Sequence, residues 1–464
     1  MKSAFNLDAY RQDLFRPVDH ERCEAQLEVI GELPEALDGL FCQNNPNPAL
    51  PPEPPYHWFD GDGMVHAVRL QGGRASYRNR WVRTSGLARD RAAGRATTRG
   101  ILHRFDPSDP APDKDTANTD LVWHEGKLLA LWWLGGQPYA LDPESLDTLG
   151  PETFGGTLGM GVAAHPKVDP RTSELVFMDY SLYDEPRLSV GVVHGGRLVH
   201  QHVEPLAAPK LLHDLAITEH YNVLLDFPMV WRTDKLAQGI RHVRFHDDQP
   251  ARIGVMERRG TSVRWFEIPP CYCYHTVNAW EEGDEIVLVA CRIENPVPRL
   301  PHPEDAEIPR LTFLRLEPYL WRWRIDLVTG QVREEQLDDC VGEFPRMDDA
   351  RLGAPSRFAY LPRFAKHPRL QFEGLRKIDH EGTERVDHRW GPGRFGSEPA
   401  FVPRPGAVDE DDGWVVALVH DEREARSELC VLEAQDFGAA PVARVLLPRV
   451  PVGFHTRWVP GSEL

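Results

Sequence analysis

An all-β fold of the propeller type is what this 464-residue sequence predicts. Two observations carry it. One unit recurs from end to end: a β-prone run, a turn of two or three residues rich in Gly and charge, then a second β-prone run, which is the signature of a hairpin. Helical periodicity, in contrast, is never sustained for several turns. Many short antiparallel hairpins over so long a chain suit a propeller, because radial repetition keeps every sheet edge short.

The turns fall at Gln71-Gly72-Gly73, Glu125-Gly126, Gly195-Gly196, Glu282-Gly283-Asp284, Thr329-Gly330 and Asp412-Gly413. Runs such as Leu128-Leu129-Ala130-Leu131, Glu285-Ile286-Val287-Leu288-Val289 and Trp414-Val415-Val416-Ala417-Leu418 flank them. The apolar stretch Leu128 to Leu134 reads as a buried strand. Tyr319 to Arg324 alternates as a strand does between core and solvent. No clean internal repeat marks individual blades. The 41 prolines gather in Asn45 to Pro55, Asp106 to Pro112 and Pro296 to Pro309, where they prevent ladder hydrogen bonding and predict long ordered loops capping one end of the fold. No shift of composition marks a linker, so residues 1–464 are read as one domain.

With 53 basic and 71 acidic side chains the net charge is -18, which repels phosphate backbones and excludes nucleic acid as a partner. Seven cysteines spread from Cys23 to Cys430 do not form a disulfide framework and fit a reducing compartment. Met1 to Tyr10 has no uninterrupted apolar core of a secretory signal, and no run of about 18 apolar residues spans a bilayer, so a cytoplasmic protein is expected. Peripheral membrane contact and oligomeric state stay open.

Twenty histidines are present, and four sit where an imidazole would point inward. They lie in Gly161-Val162-Ala163-Ala164-His165-Pro166, Leu211-Leu212-His213-Asp214, Tyr272-Cys273-Tyr274-His275-Thr276 and Val452-Gly453-Phe454-His455-Thr456. Most others neighbour charges or turns, as His194, His242, His380 and His388 do, and are read as solvated. Imidazole suits several metals, so residue type alone does not name one. Cys271, Cys273 and His275 alternate on one strand, but no second cysteine pair completes a zinc set, and core filling is the better reading. Trp58-Phe59-Asp60-Gly61-Asp62-Gly63 lacks the distal oxygen ligands of a calcium loop and reads as a turn. Hydrolase elbows and Gly-rich phosphate loops are missing.

These histidine segments resemble those of the carotenoid cleavage oxygenase family. So do His57-Trp58-Phe59-Asp60-Gly61-Asp62-Gly63-Met64, Ala117-Asn118-Thr119, Glu343-Phe344-Pro345-Arg346 and Glu398-Pro399-Ala400-Phe401-Val402-Pro403, and the resemblance runs nearly end to end. It implies a seven-bladed β-propeller with His165, His213, His275 and His455 as ligands of one Fe(2+), the cofactor. It implies that Thr119 crowds one vacant position on the iron, and that Glu343 and Glu398 accept the second ring proton of His275 and His455. Trp133 of Leu131-Trp132-Trp133-Leu134 stands where the family carries a third glutamate, the partner of His213. Indole donates but does not accept, so His213 is expected to use another acceptor, a water or none.

The function implied is an iron(II)-dependent dioxygenase that cleaves a conjugated carbon-carbon double bond of a carotenoid or apocarotenoid with dioxygen, giving two carbonyl products. Phe59 and Trp133 are the residues expected to line the path of this hydrophobic substrate. Stilbenoid- and phenylpropene-cleaving relatives carry a Lys-Glu pair at Trp132-Trp133, and loss of both charges favours an apolar polyene. A non-catalytic carotenoid- or protein-binding propeller is the alternative from another class, and retention of all four histidine matches argues against it. Isomerisation with ester cleavage, known in one branch, calls for a membrane attachment that the sequence does not display.

Overall fold

The computed structural model describes residues 9–109, 113–296, 315–366 and 369–464. The proline-rich segment of Pro296 to Pro309 lies, beyond Pro296, outside the described residues, as do Pro110 to Pro112. The predicted turns all join antiparallel strands, for example Gly63–Gln71 to Arg74–Trp81 and Tyr272–Glu282 to Glu285–Ile293. Runs such as Ile286-Val287-Leu288-Val289 and Trp414-Val415-Val416 are rich in β-branched and aromatic residues that pack inward, which is what a pleated ribbon selects.

The strands group into seven blades. Blade one runs Cys23–Glu24, Arg74–Trp81, Gly63–Gln71, Gly39–Pro46, Thr456–Pro460 in spatial order. Blades two to five are four-stranded meanders that begin at Asp120–His124, Lys167–Val168, Leu215–Ile217 and Tyr272–Glu282. Blade six comprises Phe358–Phe364, Phe372–Asp379 and Arg385–Arg389, with bridges from Gly342 and Arg346 extending its inner edge. Blade seven runs from Arg394–Pro403 through Gly413–Asp421, Arg426–Glu433 and Ala443–Leu447 to Val29–Gly31. Blades six and seven share one sheet through the single pair Phe372 and Gly396.

Both chain ends close the ring. Thr456–Pro460 pairs with Gly39–Pro46 and completes blade one, while Val29–Gly31 adds the outer strand of blade seven. The core lies between blade faces. Phe41, Val68, Trp414 and Val431 join blades one and seven, and Val122, Leu129, Phe177 and Val193 join blades two and three. Val287, Leu320, Ala359 and Ile378 join blades five and six. A fully buried Val, Leu or Phe contributes roughly 1.5–3 kcal/mol over an exposed one, so each blade is held by its two neighbours more than by its own ladder.

The first strand of each meander lies innermost, and these inner strands neighbour one another around the axis. Prolines 48, 52 and 55 of the loop Asn45 to Pro55 line a cavity with Trp132 and Trp133, as the expected cap requires. Leu128 to Leu131 form the buried part of a strand, and in Tyr319–Asp326 Leu320, Trp323 and Ile325 face the core. All seven cysteines are free thiols. Cys271 and Cys273 are core residues, and the bulge between Cys273 and Thr276 breaks the alternation that seemed to align them with His275. Trp58–Asp60 forms a single 3-10 turn capped by the His57 side chain. Among the described residues no helix is long and apolar enough to cross a membrane.

Three histidines correct the sequence reading. His194 is exposed, but His242, His380 and His388 are buried. At His388 consecutive strand residues face opposite ways, and at His242 and His380, which lie just outside strands, the charged neighbours Arg241 and Asp379 are themselves buried. His388 points inward next to exposed Arg389, with its ring 4.8 Å from that of Trp390. His380 stacks on Trp280 at 5.9 Å.

Candidate metal centre

His165, His213, His275 and His455 converge on the propeller axis. His165 and His213 sit one or two residues before the inner strands of blades three and four. His275 lies within the inner strand of blade five, and His455 immediately precedes the closing strand of blade one. The rings are 4.7 Å apart for His165 and His213, 4.5 Å for His165 and His455, 5.0 Å for His213 and His275, and 4.8 Å for His275 and His455. Nitrogens of His165, His275 and His455 lie within 4.8 Å of one another, and Nε2 of His213 is 3.2 Å from Nε2 of His275.

The outer nitrogens settle which way these rings present their lone pairs. Nδ1 of His275 donates to Glu343 Oε2 at 2.6 Å, and Nδ1 of His455 donates to Glu398 Oε1 at 3.1 Å. With the proton on Nδ1, each Nε2 is left as a bare acceptor aimed at its neighbours. Nε2 of His165 is buried and has no hydrogen-bond partner. Four acceptor nitrogens turned toward one point repel one another unless a cation sits among them. The span agrees with about 4.2 Å between opposite ligands at bonds of about 2.1 Å, so the residues present fit a metal ion.

Burial, reinforced by the other imidazoles, pushes the pKa values of His165 and His213 well below the usual histidine range. Burial takes His275 down to about 3 and its partner Glu343 up to about 8. At the other pair burial is outweighed: the charge and hydrogen bond of Glu398 hold His455 above its ordinary value, while His455 and Arg346 hold Glu398 below its own. Neutral rings at three corners are the form in which imidazole binds a metal.

Trp133, as expected, gives His213 no carboxylate. Nε2 of His213 faces Nε2 of His275, and Trp133 Nε1 is buried without a partner. Trp133 instead lines an apolar cavity that is partly open to solvent. Phe59, Tyr274, Phe344 and Phe454 share its wall with His213, His275 and His455. Phe59 and Trp133, the two residues expected there, are in ring contact at 5.8 Å. Thr119 also lines it, its hydroxyl donating to Asn118 Oδ1 at 3.0 Å and accepting from the Trp133 amide at 3.2 Å. No lysine or arginine lines this cavity among the described residues.

A second cavity meets the cluster from the opposite side and is charged, lined by Asp120, Lys167, Asp214, Arg346, Asp349 and Arg457 beside His165, His275 and His455. The histidines therefore separate an apolar space from a polar one. Tyr274, Phe344 and Phe454 were not singled out from sequence. Each is the immediate neighbour of His275, Glu343 or His455, and that adjacency was the available signal. Asp120, next to Thr119, was missed in the same way.

The chain matches, over residues 15–460, the family model described as retinal pigment epithelial membrane protein. It is 35% identical over 490 residues to carotenoid 9,10(9',10')-cleavage dioxygenase 1 of Phaseolus vulgaris, covering 97% of this chain and 89% of that protein. Among solved structures it is similar to the lignostilbene dioxygenase of Pseudomonas brassicacearum, with a TM-score of 0.87, 30% identity, and 97% and 98% of the two chains covered. It is also similar to the apocarotenoid oxygenase of Synechocystis, with a TM-score of 0.85, 29% identity, and 96% and 97% covered; a cobalt-substituted form of that enzyme matches at 0.83. This chain belongs to the carotenoid cleavage oxygenase family, a family of iron-dependent dioxygenases.

Proposed function

We propose that this protein is a non-haem iron(II) dioxygenase that cleaves a conjugated double bond of a carotenoid or apocarotenoid with dioxygen to give two carbonyl products. The observation that carries the reading is the apolar cavity walled by His213, His275 and His455, three of the four convergent histidines. His165, His213, His275 and His455 hold the iron, and bound iron supplies the activation of dioxygen that organic side chains lack.

The chain's own residues do the positioning. Glu343 and Glu398 fix ring angle and tautomer at His275 and His455. Phe59, Trp133, Tyr274 and Phe454 bind a polyene by its flat faces and keep water from the reacting bond. Thr119, whose hydroxyl is already engaged, has its methyl left to narrow the cavity that it lines with the histidines.

The wall formed by the described residues carries no lysine or arginine, which favours a hydrocarbon over a phenolate-bearing stilbene. The likeness to the lignostilbene dioxygenase keeps a stilbenoid as the competing substrate. The test is product mass spectrometry after incubating iron(II)-loaded protein in air with a full-length carotenoid, apocarotenals and hydroxystilbenes. Aldehyde or ketone fragments from a carotenoid or apocarotenal are expected, and His275→Ala should abolish both bound iron and fragments. Cleavage of hydroxystilbene alone would overturn the substrate class. Full activity in His275→Ala would overturn the metal assignment.

A further inference from the structure

The seven inner strands divide their polar residues in a regular way. Blades one, three, four and five bring His455, His165, His213 and His275 to the axis. Blades six and seven bring Glu343 and Glu398, and each of these carboxylates reaches the histidine of the blade beside it, Glu343 to His275 and Glu398 to His455. Blade two is the one left. Its inner strand begins at Asp120, and Asp120 Oδ2 lies 3.7 Å from Nδ1 of His165, again the histidine of the adjoining blade.

Asp120 is built into place. It is 7% exposed, with Oδ1 accepting the Leu121 amide at 2.7 Å and Oδ2 accepting the His165 amide at 3.0 Å. Among the described residues it makes no ion pair with a lysine or arginine, although Lys167 and Arg346 line the same charged cavity. His165 holds a left-handed backbone with φ of 69°. A non-glycine residue keeps that conformation only where its surroundings over-determine it, and the Asp120 carboxylate clasping its amide does so. At 3.7 Å the Asp120 carboxylate faces a neutral imidazole across a gap too long for a hydrogen bond.

We infer that Asp120 is a positioning residue of the iron site, the third carboxylate of the shell, serving His165 in place of the glutamate that Trp133 displaces from His213. The shell then holds three carboxyl groups around the ion, with the corner that lacks one at His213, which faces the apolar cavity. Asp120 and Glu398 lie on the polar side of the cluster, and Glu343 is the one carboxyl group on the wall of the apolar cavity among the described residues. The inference rests on the metal reading above.

The test is cobalt(II) titration of metal-free protein, read by the visible ligand-field bands, with chelator competition for affinity and a melting curve of each metal-free variant. Asp120→Asn should weaken cobalt about 10- to 100-fold and shift the bands. Adding Trp133→Glu to Asp120→Asn should recover most of the affinity, because a carboxylate is again supplied, to His213. Affinity and bands of Asp120→Asn like those of the unmodified protein would overturn the inference. So would a loss that Trp133→Glu does not recover and that comes with a lower melting temperature, since Asp120 would then act only by anchoring the His165 backbone. His275→Ala in the same titration separates the two readings: unaltered cobalt binding there would remove the metal site itself.

Discussion

At the scale of single residues, the site is set by where each imidazole keeps its proton. Glu343 and Glu398 draw it to Nδ1, and in doing so they choose Nε2 as the inward atom of His275 and His455. Glu398 does more: Oε2 accepts the Thr456 hydroxyl at 3.0 Å, tying the residue after the ligand to the same carboxylate. Glu398→Gln keeps an acceptor near Nδ1 but removes the charge, and it should weaken iron binding by about 10- to 100-fold while leaving the fold intact. Chelator competition measures the first and circular dichroism the second; iron affinity equal to the unmodified protein would show that the pair is not used. The four histidines were legible because each sits in a short apolar or small-residue segment. His242, His380 and His388 were not, since burial is set by strand phase at His388 and by a remote partner, Trp280, at His380.

At the scale of elements, the blades are paired faces, and small residues appear where a neighbouring aromatic ring needs room. Gly191 pairs with Phe177 across two strands of blade three. A Cβ at Gly191 would lie 2.3 Å from Cζ of Phe177, whose side chain is fully buried and has nowhere to swing. Gly191→Ala should therefore cost roughly 1–3 kcal/mol by overpacking, read as a lower denaturation midpoint with an unchanged slope. A midpoint within error of the parent would mean the ring has slack that the packing does not suggest. The hairpins themselves were legible because turn chemistry is local: Gly72, Gly126, Gly195 and Gly283 all adopt the positive φ their turns demand. Blade boundaries were not, because the chain passes from one blade to the next without a distinctive residue.

At the scale of the whole molecule, charge stitches the blades as apolar faces do. Asp169, just past the inner strand of blade three, accepts from Arg171 Nε at 3.0 Å and from Arg258 Nη1 at 3.2 Å, the latter at the end of a strand of blade four. Burial raises the Asp169 pKa, but the hydrogen bonds and charges of Arg171 and Arg258 outweigh it and hold the carboxyl below its ordinary value of 3.8. A carboxyl depressed in the folded state contributes stability that is complete above its unfolded value and is lost as pH falls through the folded one. Asp169→Asn should thus lower stability by roughly 3 kcal/mol at pH 7, and the deficit should shrink as pH drops below about 4. Urea titrations of both proteins at pH 7, 4 and 3 test this; a deficit independent of pH would assign the loss to packing instead of charge.

The sequence by itself determined the elements and the inventory: hairpins follow from turn residues and period-two patterning, and the family motifs named four histidines, two glutamates and the tryptophan that replaces a third. What only the tertiary structure decided is who faces whom. The pairing of Gly39–Pro46 with Thr456–Pro460 closes a ring over most of the chain length. That closure sets His455 beside His165, places Asp120 against it, and puts an apolar cavity on one side of the cluster and a charged one on the other. The physical reason is that turn and strand preferences act over a few residues. Contacts around a propeller axis join residues hundreds of positions apart, and they exist only once every blade has found its two neighbours.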